Sequence, residues 1–116
     1  MEKSGKLISC AEIVKIVSQA SGIPVADIRA KSKLSEKVLA RQVSVALCCQ
    51  FTSMSLTWIA SYLGYSDHTS ALHGRKRVSE CLENPEALHA MAIRDLYETS
   101  LQMVQDKIWE RRNGSR

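Results

Sequence analysis

The chain has 116 residues, of which 45% are hydrophobic, and carries 16 Lys and Arg against 12 Asp and Glu. That length suffices for one buried core but not for a catalytic domain beside a binding domain, and the composition is typical of a folded protein rather than a disordered tail. No apolar run reaches the ~18–20 residues of a membrane span, and the N-terminal MEKSGKL lacks the apolar core of a secretory signal. We therefore expect no membrane partner and a cytoplasmic location.

The charge is unevenly distributed. Residues 1–79 carry 11 basic and 5 acidic side chains, a net of +6, whereas residues 80–116 carry 5 and 7, a net of −2. Five basic residues lie between Arg29 and Arg41 against the single acid Glu36, and a second cluster occupies residues 75–77. Clustered positive charge suits a polyanion, although charge alone leaves a merely solvated surface equally open.

The first third of the chain predicts a helix, a short helical turn and a basic loop. Ser9 and Glu12 have the spacing of a capping box, and Gly22 is placed to end the helix in a left-handed turn. Residues 25–28 can form a short helical turn. The basic stretch 29–33 lacks hydrophobic periodicity and predicts a loop.

A long helix is predicted next, capped by Ser35 and reaching about Thr52. Arg41 and Gln42 lie away from its apolar face, so we expect them to face solvent or a ligand. The apolar face follows helical spacing at Leu39, Val43, Ala46, Leu47 and Phe51.

The segment that follows has the pattern of a helix-turn-helix in an all-α protein. Ser55 starts a short helix that Gly64 closes, and Ser66 or Asp67 then caps a second helix that reaches about Glu83. The second helix has a polar outer face made of Thr69, Ser70, His73, Lys76 and Arg77. A short helix, a glycine-containing turn and a helix with a polar outer face are typical of a DNA reader.

The last segment predicts an additional long helix over residues 86–112, after the break at Asn84 and Pro85. Its apolar side comprises Leu88, Met91, Ile93, Leu96, Tyr97, Leu101, Val104 and Ile108, and Trp109 extends it. That side can pack on the core or mediate oligomerisation, and the sequence leaves both open. We therefore divide the chain into a helix-turn-helix domain, residues 1–84, and a C-terminal helix, residues 85–116.

The first turn of the second helix carries the chemistry for base recognition. Asp67 can accept from the cytosine amino group, the Thr69 methyl can pack on thymine, and His68 can donate to base acceptors. One turn later His73 and Arg77 can reach the DNA backbone. Two simpler interpretations stay open at this point: Asp67 as a plain N-cap and the histidines as ordinary surface residues.

Catalytic and metal chemistry lack a matching pattern. His68 and His73 are five residues apart and do not stack on one helix face, and none of the four cysteines forms a CxxC pair. There are no paired carboxylates, no phosphate-cradling glycine loop and no nucleophile–base pair. We therefore expect no enzyme activity, no cofactor and no metal.

Residues 40–77, ARQVSVALCCQFTSMSLTWIASYLGYSDHTSALHGRKR, resemble the C-terminal DNA-binding domain of DnaA, the bacterial chromosomal replication initiator. The most specific stretch is GYSDHTSALH at 64–73, which is similar to the family's GGRDHTTVLH. The resemblance implies a Trp-repressor-like helix-turn-helix fold with an extra C-terminal helix. It also implies binding of double-stranded DNA at a DnaA-box-like site.

The resemblance also implies roles for individual positions. Base contacts in the major groove fall on Asp67, His68 and Thr69. Lys33 stands where the family places a minor-groove Arg, and it lacks the planar fork that suits a narrow groove. The phosphate contacts, completed by Arg77 and Lys31 from the basic clusters, are Arg41, Gln42, Leu56, Thr57, Ser70 and His73.

The functional expectation is a stand-alone, nucleoid-associated reader of DNA that regulates replication initiation or transcription. We expect no ATPase activity, because no nucleotide-binding motif is present. The alternative is a protein-interaction module that dimerises, or binds a replication or transcription protein, through the C-terminal helix. The sequence leaves a homodimer and such a protein partner open.

Overall fold

The structure, a computed structural model, describes residues 7–114, which are helical and contain no strand in that range. The all-α prediction is confirmed. The elements in chain order are α1 (Cys10–Ser21), α2 (Val25–Ile28), α3 (Ser35–Phe51), α4 (Leu56–Tyr62), α5 (His68–Glu83), α6 (Ala90–Trp109) and a π-helical turn (Glu110–Gly114).

The local signals of the first helix are confirmed. The Ser9 hydroxyl accepts the Glu12 backbone N–H at 3.2 Å, and the Glu12 carboxylate accepts the Ser9 N–H at 3.1 Å. Gly22 ends α1 with φ 79°. The prediction that Ser35 caps α3 is wrong, because Leu34 occupies the N-cap position without a side-chain hydrogen bond.

The helix α3 lies at the centre of the molecule and contacts α1, α2, α4, α5 and α6. Because it is surrounded, residues on several of its faces are buried, and the other helices point their apolar stripes toward it. The largest fully buried side chains include Ile13, Ile28, Leu47, Ile59, Leu63, Ile93, Val43, Val78 and Val104. The position of α5 is thereby fixed by packing against α3, α4 and α6.

The final helix is shorter than predicted. Residues 85–89 form turns, His89 has the left-handed φ of 63°, and α6 begins only at Ala90. Two residues predicted on its apolar side are exposed: Leu88, which precedes α6, by 70%, and Met91, in its first turn, by 77%. None of the described helices is long and apolar enough to cross a membrane.

The remainder of α6 belongs to the same core as the other helices. Ile93 and Val104 are fully buried, and the helix contacts α1, α3 and α5. Beyond its end, Arg111 pairs with Glu12 and donates to the Leu7 carbonyl at 2.6 Å. Hydrogen bonds from Arg111 lower the pKa of Glu12 to about 2. The division of the chain at residue 84 stays a prediction.

Candidate nucleic-acid interface

The start of α5 is ordered by a local cap. Asp67 precedes the helix in an extended conformation, and its carboxylate accepts the backbone N–H of Ser70 at 2.9 Å. Hydrogen bonds from Ser70 lower the pKa of Asp67, so the side chain carries a negative charge near neutral pH. Asp67 is thus an N-cap, and its contact with a base stays a prediction.

The first turn and a half of α5 faces solvent. The opposite face of the helix is fixed, because Ala71 and Gly74 are buried. The exposed side chains are His68, Thr69, Ser70 and His73. These are the side chains that the sequence assigned to bases and phosphates, and the structure brings them together on one surface.

The basic loop between α2 and α3 presents Lys31 and Lys33, which are both exposed. Its first residue, Arg29, is bonded elsewhere in the molecule: its Nε donates to the Tyr62 carbonyl at 2.7 Å, and its guanidinium lies 3.9 Å from the Tyr62 ring centroid. Arg29 therefore attaches the loop to the end of α4. No local pattern predicts this role, since the two residues lie 33 positions apart.

Arg41 holds the same loop from the other side. It is only 6% exposed, and it donates from Nε to the Ile28 carbonyl at 2.7 Å, from Nη1 to the Ser32 carbonyl at 3.2 Å, and from Nη2 to the Ala30 carbonyl. The expectation that Arg41 faces solvent is wrong, because its long side chain folds back onto the loop backbone. A phosphate contact would have to use the remaining N–H groups of a buried guanidinium.

Two other predicted phosphate contacts are also turned toward the protein. Gln42 is half-buried, and its Oε1 is buried without a hydrogen-bond partner among the described residues. Arg77 donates to the Glu80 carboxylate at 3.4 Å and to the Leu88 carbonyl at 2.5 Å. The half-buried position of Gln42 leaves its expected orientation toward solvent or a ligand untested, and the phosphate contacts of both residues stay predictions.

The start of α4 matches the sequence prediction of a capped short helix. The Ser55 hydroxyl accepts the Trp58 N–H at 3.1 Å. Thr57 is exposed and Leu56 is half-buried. Their contacts with phosphate through the backbone stay predictions.

At Gly64 the turn of the helix-turn-helix packs closely against the backbone at the start of the basic loop. It has φ 83°, and a Cβ at this position would lie 1.9 Å from the Arg29 carbonyl oxygen. Only glycine allows this approach of two backbones. The sequence predicted Gly64 as a helix end, but the contact with the loop is visible only in the structure.

No group of three or more His, Cys, Asp and Glu side chains within residues 7–114 is arranged to hold a metal ion.

A short helix, a glycine turn and a second helix with an exposed polar start, beside a basic loop, define a helix-turn-helix DNA-binding domain. The family model described as the bacterial DnaA protein helix-turn-helix matches residues 10–78. The chain belongs to this family, and the matched domain is a DNA-binding domain rather than a catalytic one.

Individual relatives agree with the family model. The chain is 35% identical over 97 residues to the chromosomal replication initiator protein DnaA of Latilactobacillus sakei. The matched region covers 84% of this chain and 21% of the relative. It is 36% identical over 90 residues to DnaA of Chloroflexus aurantiacus (76% of this chain, 19% of the relative) and 34% identical over 79 residues to DnaA of Campylobacter concisus (68% and 18%). The chain spans about a fifth of the length of these relatives.

Proposed function

We propose that this protein binds a specific double-stranded DNA sequence similar to a DnaA box. The start of α5 enters the major groove, and the basic loop lies along the adjacent minor groove. The observation that carries the proposal is the outward-facing first turn of α5, capped by Asp67 and displaying His68 and Thr69. Membership of the DnaA helix-turn-helix family supports it independently.

The chemistry of the first turn suits base edges. His68 donates to a base acceptor, the Thr69 methyl packs on a thymine methyl, and the Asp67 carboxylate accepts from a cytosine amino group. The cap restricts the orientation of Asp67, which reduces the ordering cost of binding. Each good base contact is expected to discriminate by about 1–3 kcal/mol.

Affinity comes mainly from the DNA backbone. We assign phosphate contacts to Lys31, Ser70 and His73 and a minor-groove contact to Lys33, and their exposure supports this assignment. Each phosphate neutralised by a Lys or Arg is expected to contribute about −0.9 to the slope of log affinity against log salt.

Occupation of such sites would make the protein a regulator of replication initiation or transcription, acting on its own. The proposed contacts all come from this domain, so binding requires no nucleotide. The alternative role, protein interaction through α6, has less support because the Ile93 and Val104 side chains of that helix are buried in the core.

Selection of bound duplexes from a random pool, with the full chain, tests the proposal. We expect a single enriched site that is unaffected by ATP. His68→Ala is expected to reduce the preference for that site by about tenfold or more while leaving binding to unrelated duplexes nearly unchanged. Ser79→Ala, an exposed position further along α5, is the matched control. An unenriched pool would contradict the proposal.

A further inference from the structure

Tyr65, in the turn between α4 and α5, contacts both parts of the proposed DNA interface. The guanidinium of Arg41 lies 5.9 Å from the centroid of its ring, within the range of a cation–π contact. Its hydroxyl oxygen occupies the space beside Gly74 of α5, 2.8 Å from where a Cβ at that position would lie. Tyr65 is half-buried and packs against the hydrophobic core between these two contacts.

Gly74 is the matching partner of Tyr65. It is buried in the middle of α5, where glycine is less favourable than alanine because it leaves the unfolded backbone freer. A Cβ at this position would lie 2.8 Å from the Tyr65 hydroxyl oxygen and 3.3 Å from Cγ of Gln42. The first distance is too short for an unshifted contact. Glycine at position 74 therefore makes room for the tyrosine.

The other side of Tyr65 leads to the basic loop. Arg41 donates to the carbonyls of Ile28, Ala30 and Ser32, so it determines the path of the loop that carries Lys31 and Lys33. Tyr65 thus lies between the residue that holds the loop and the helix that is proposed to read bases. A shift of its ring would move one relative to the other.

We infer that Tyr65 is a positioning residue for site selection. Wedged between Arg41 and Gly74, it fixes the basic loop relative to the start of α5, and so fixes the spacing between the minor-groove and major-groove contacts on DNA. This inference rests on the proposed function. It assigns to Tyr65 no contact with DNA.

The hydroxyl of Tyr65 acts through its bulk rather than through a hydrogen bond. It is buried with no hydrogen-bond partner among the described residues, as is Oε1 of Gln42. Removal of an unpaired buried hydroxyl is close to neutral for stability. Tyr65→Phe is therefore expected to fold and to relieve the crowding that Gly74→Ala introduces, which makes the two substitutions a natural double-mutant cycle.

The experiment measures how strongly the two parts of the interface depend on each other. On the duplex obtained by selection, the loss of affinity caused by Lys33→Ala is determined in the wild type, in Gly74→Ala, and in Tyr65→Phe/Gly74→Ala. We expect the loss of affinity caused by Lys33→Ala to be about fivefold smaller in the Gly74→Ala background. It should return to its wild-type size in the Tyr65→Phe/Gly74→Ala background. Ser79→Ala changes an exposed residue of α5 and is expected to leave the effect unchanged.

The possible outcomes distinguish a failure of the proposed function from a failure of the positioning role. A wild-type protein that prefers no duplex contradicts the proposed function itself. A wild-type preference accompanied by a full Lys33→Ala effect in Gly74→Ala, or by no recovery in the double variant, overturns the positioning role. If Gly74→Ala does not fold, Tyr65→Leu removes the ring from between Arg41 and α5. In the Tyr65→Leu background, the loss of affinity caused by Lys33→Ala must then be smaller than in the wild type, while the loss caused by His68→Ala persists. An undiminished Lys33→Ala loss, or the disappearance of the His68→Ala loss, overturns the inference.

Discussion

The start of α5 and the basic loop are the two halves of the proposed interface, and they are ordered in different ways. Asp67 caps α5 through a hydrogen bond to a residue three positions away. The loop is held by Arg29 and Arg41, whose partners lie up to 33 positions away. One half is therefore organised by local hydrogen bonding and the other by tertiary contacts.

This difference implies unequal sensitivity to substitution. A lost cap frays one helix turn, because the helix remains anchored through its buried residues such as Ala71 and Val78. A lost tertiary support instead leaves several loop carbonyls without their partners, and buried unsatisfied groups are costly.

The largest effect is expected from Arg41→Ala. The substitution removes three hydrogen bonds, to the carbonyls of Ile28, Ala30 and Ser32, so the free energy of unfolding should fall by about 2–4 kcal/mol. Urea denaturation followed by circular dichroism measures it. The control is Lys37→Ala on the same helix, whose 3.7 Å ion pair with Asp27 lies near the surface and should contribute less than about 1 kcal/mol. Equal losses in the two variants would contradict the claim that the hydrogen bonds of Arg41 order the loop.

The next effect concerns DNA affinity. Replacing Lys31 and Lys33 together by Ala should lower affinity at about 0.1 M salt by one to two orders of magnitude, and should make the log–log salt slope shallower by about 1–2. Fluorescence anisotropy across a salt series provides both numbers. Paired replacement of Lys15 and Lys107, away from the interface, is the control, and an unchanged slope for the loop variant would exclude the loop from the interface.

A smaller effect is expected at the locally ordered half. Asp67→Ala removes the cap of α5 and should lower the free energy of unfolding by about 1 kcal/mol. Asp67→Asn retains a capping oxygen and should lower the free energy of unfolding by only a few tenths of a kcal/mol. Chemical denaturation distinguishes the two. If Asn and Ala cost the same, the charge of Asp67 rather than its cap would order the turn.

Glu12 combines a local and a long-range contact, and its effect should be the smallest. The capping box with Ser9 is local, whereas the ion pair with Arg111 joins positions 99 apart and lowers the pKa of Glu12 to about 2. A pKa lowered by folding stabilises the protein above the unfolded value near 4.5, and the stabilisation is lost as pH falls from there toward 2. Because both side chains are partly exposed, we expect about 1 kcal/mol or less.

Glu12→Gln isolates that ion pair, because glutamine preserves the capping box but carries no charge. The difference in unfolding free energy between the wild type and this variant should be present at pH 7 and shrink between pH 4.5 and pH 2. A difference that is independent of pH would contradict stabilisation by the charged pair of Glu12 and Arg111.

What the sequence could predict follows the same division. The capping box at Ser9, the caps at Ser55 and Asp67, and the left-handed Gly22 are encoded within a few residues, and the structure contains them all. The helix-turn-helix pattern follows from these local signals together with helical periodicity.

Apart from the N-cap of α3, which was predicted at Ser35 and lies at Leu34, the errors concern residues whose environment depends on distant parts of the chain. Helical spacing placed Arg41 away from the apolar face of α3, but it could not indicate that loop carbonyls would cover that side. Residues 86–89 were predicted to be helical, yet the chain turns there, with His89 in the left-handed region, before α6 begins. The contact of Tyr65 with Gly74 likewise has no signature in spacing alone.

Base recognition by the first turn of α5 is tested most directly by a chemical double-mutant cycle on the selected duplex. Purines at successive positions are replaced by 7-deaza analogues, which lack the major-groove N7 acceptor, and affinity is measured for the wild type and for His68→Ala. We expect one position at which the analogue weakens wild-type binding by roughly tenfold but has little effect on binding by the His68→Ala variant. Equal losses for both proteins at every position, or no loss at any, would contradict base reading by the first turn of α5.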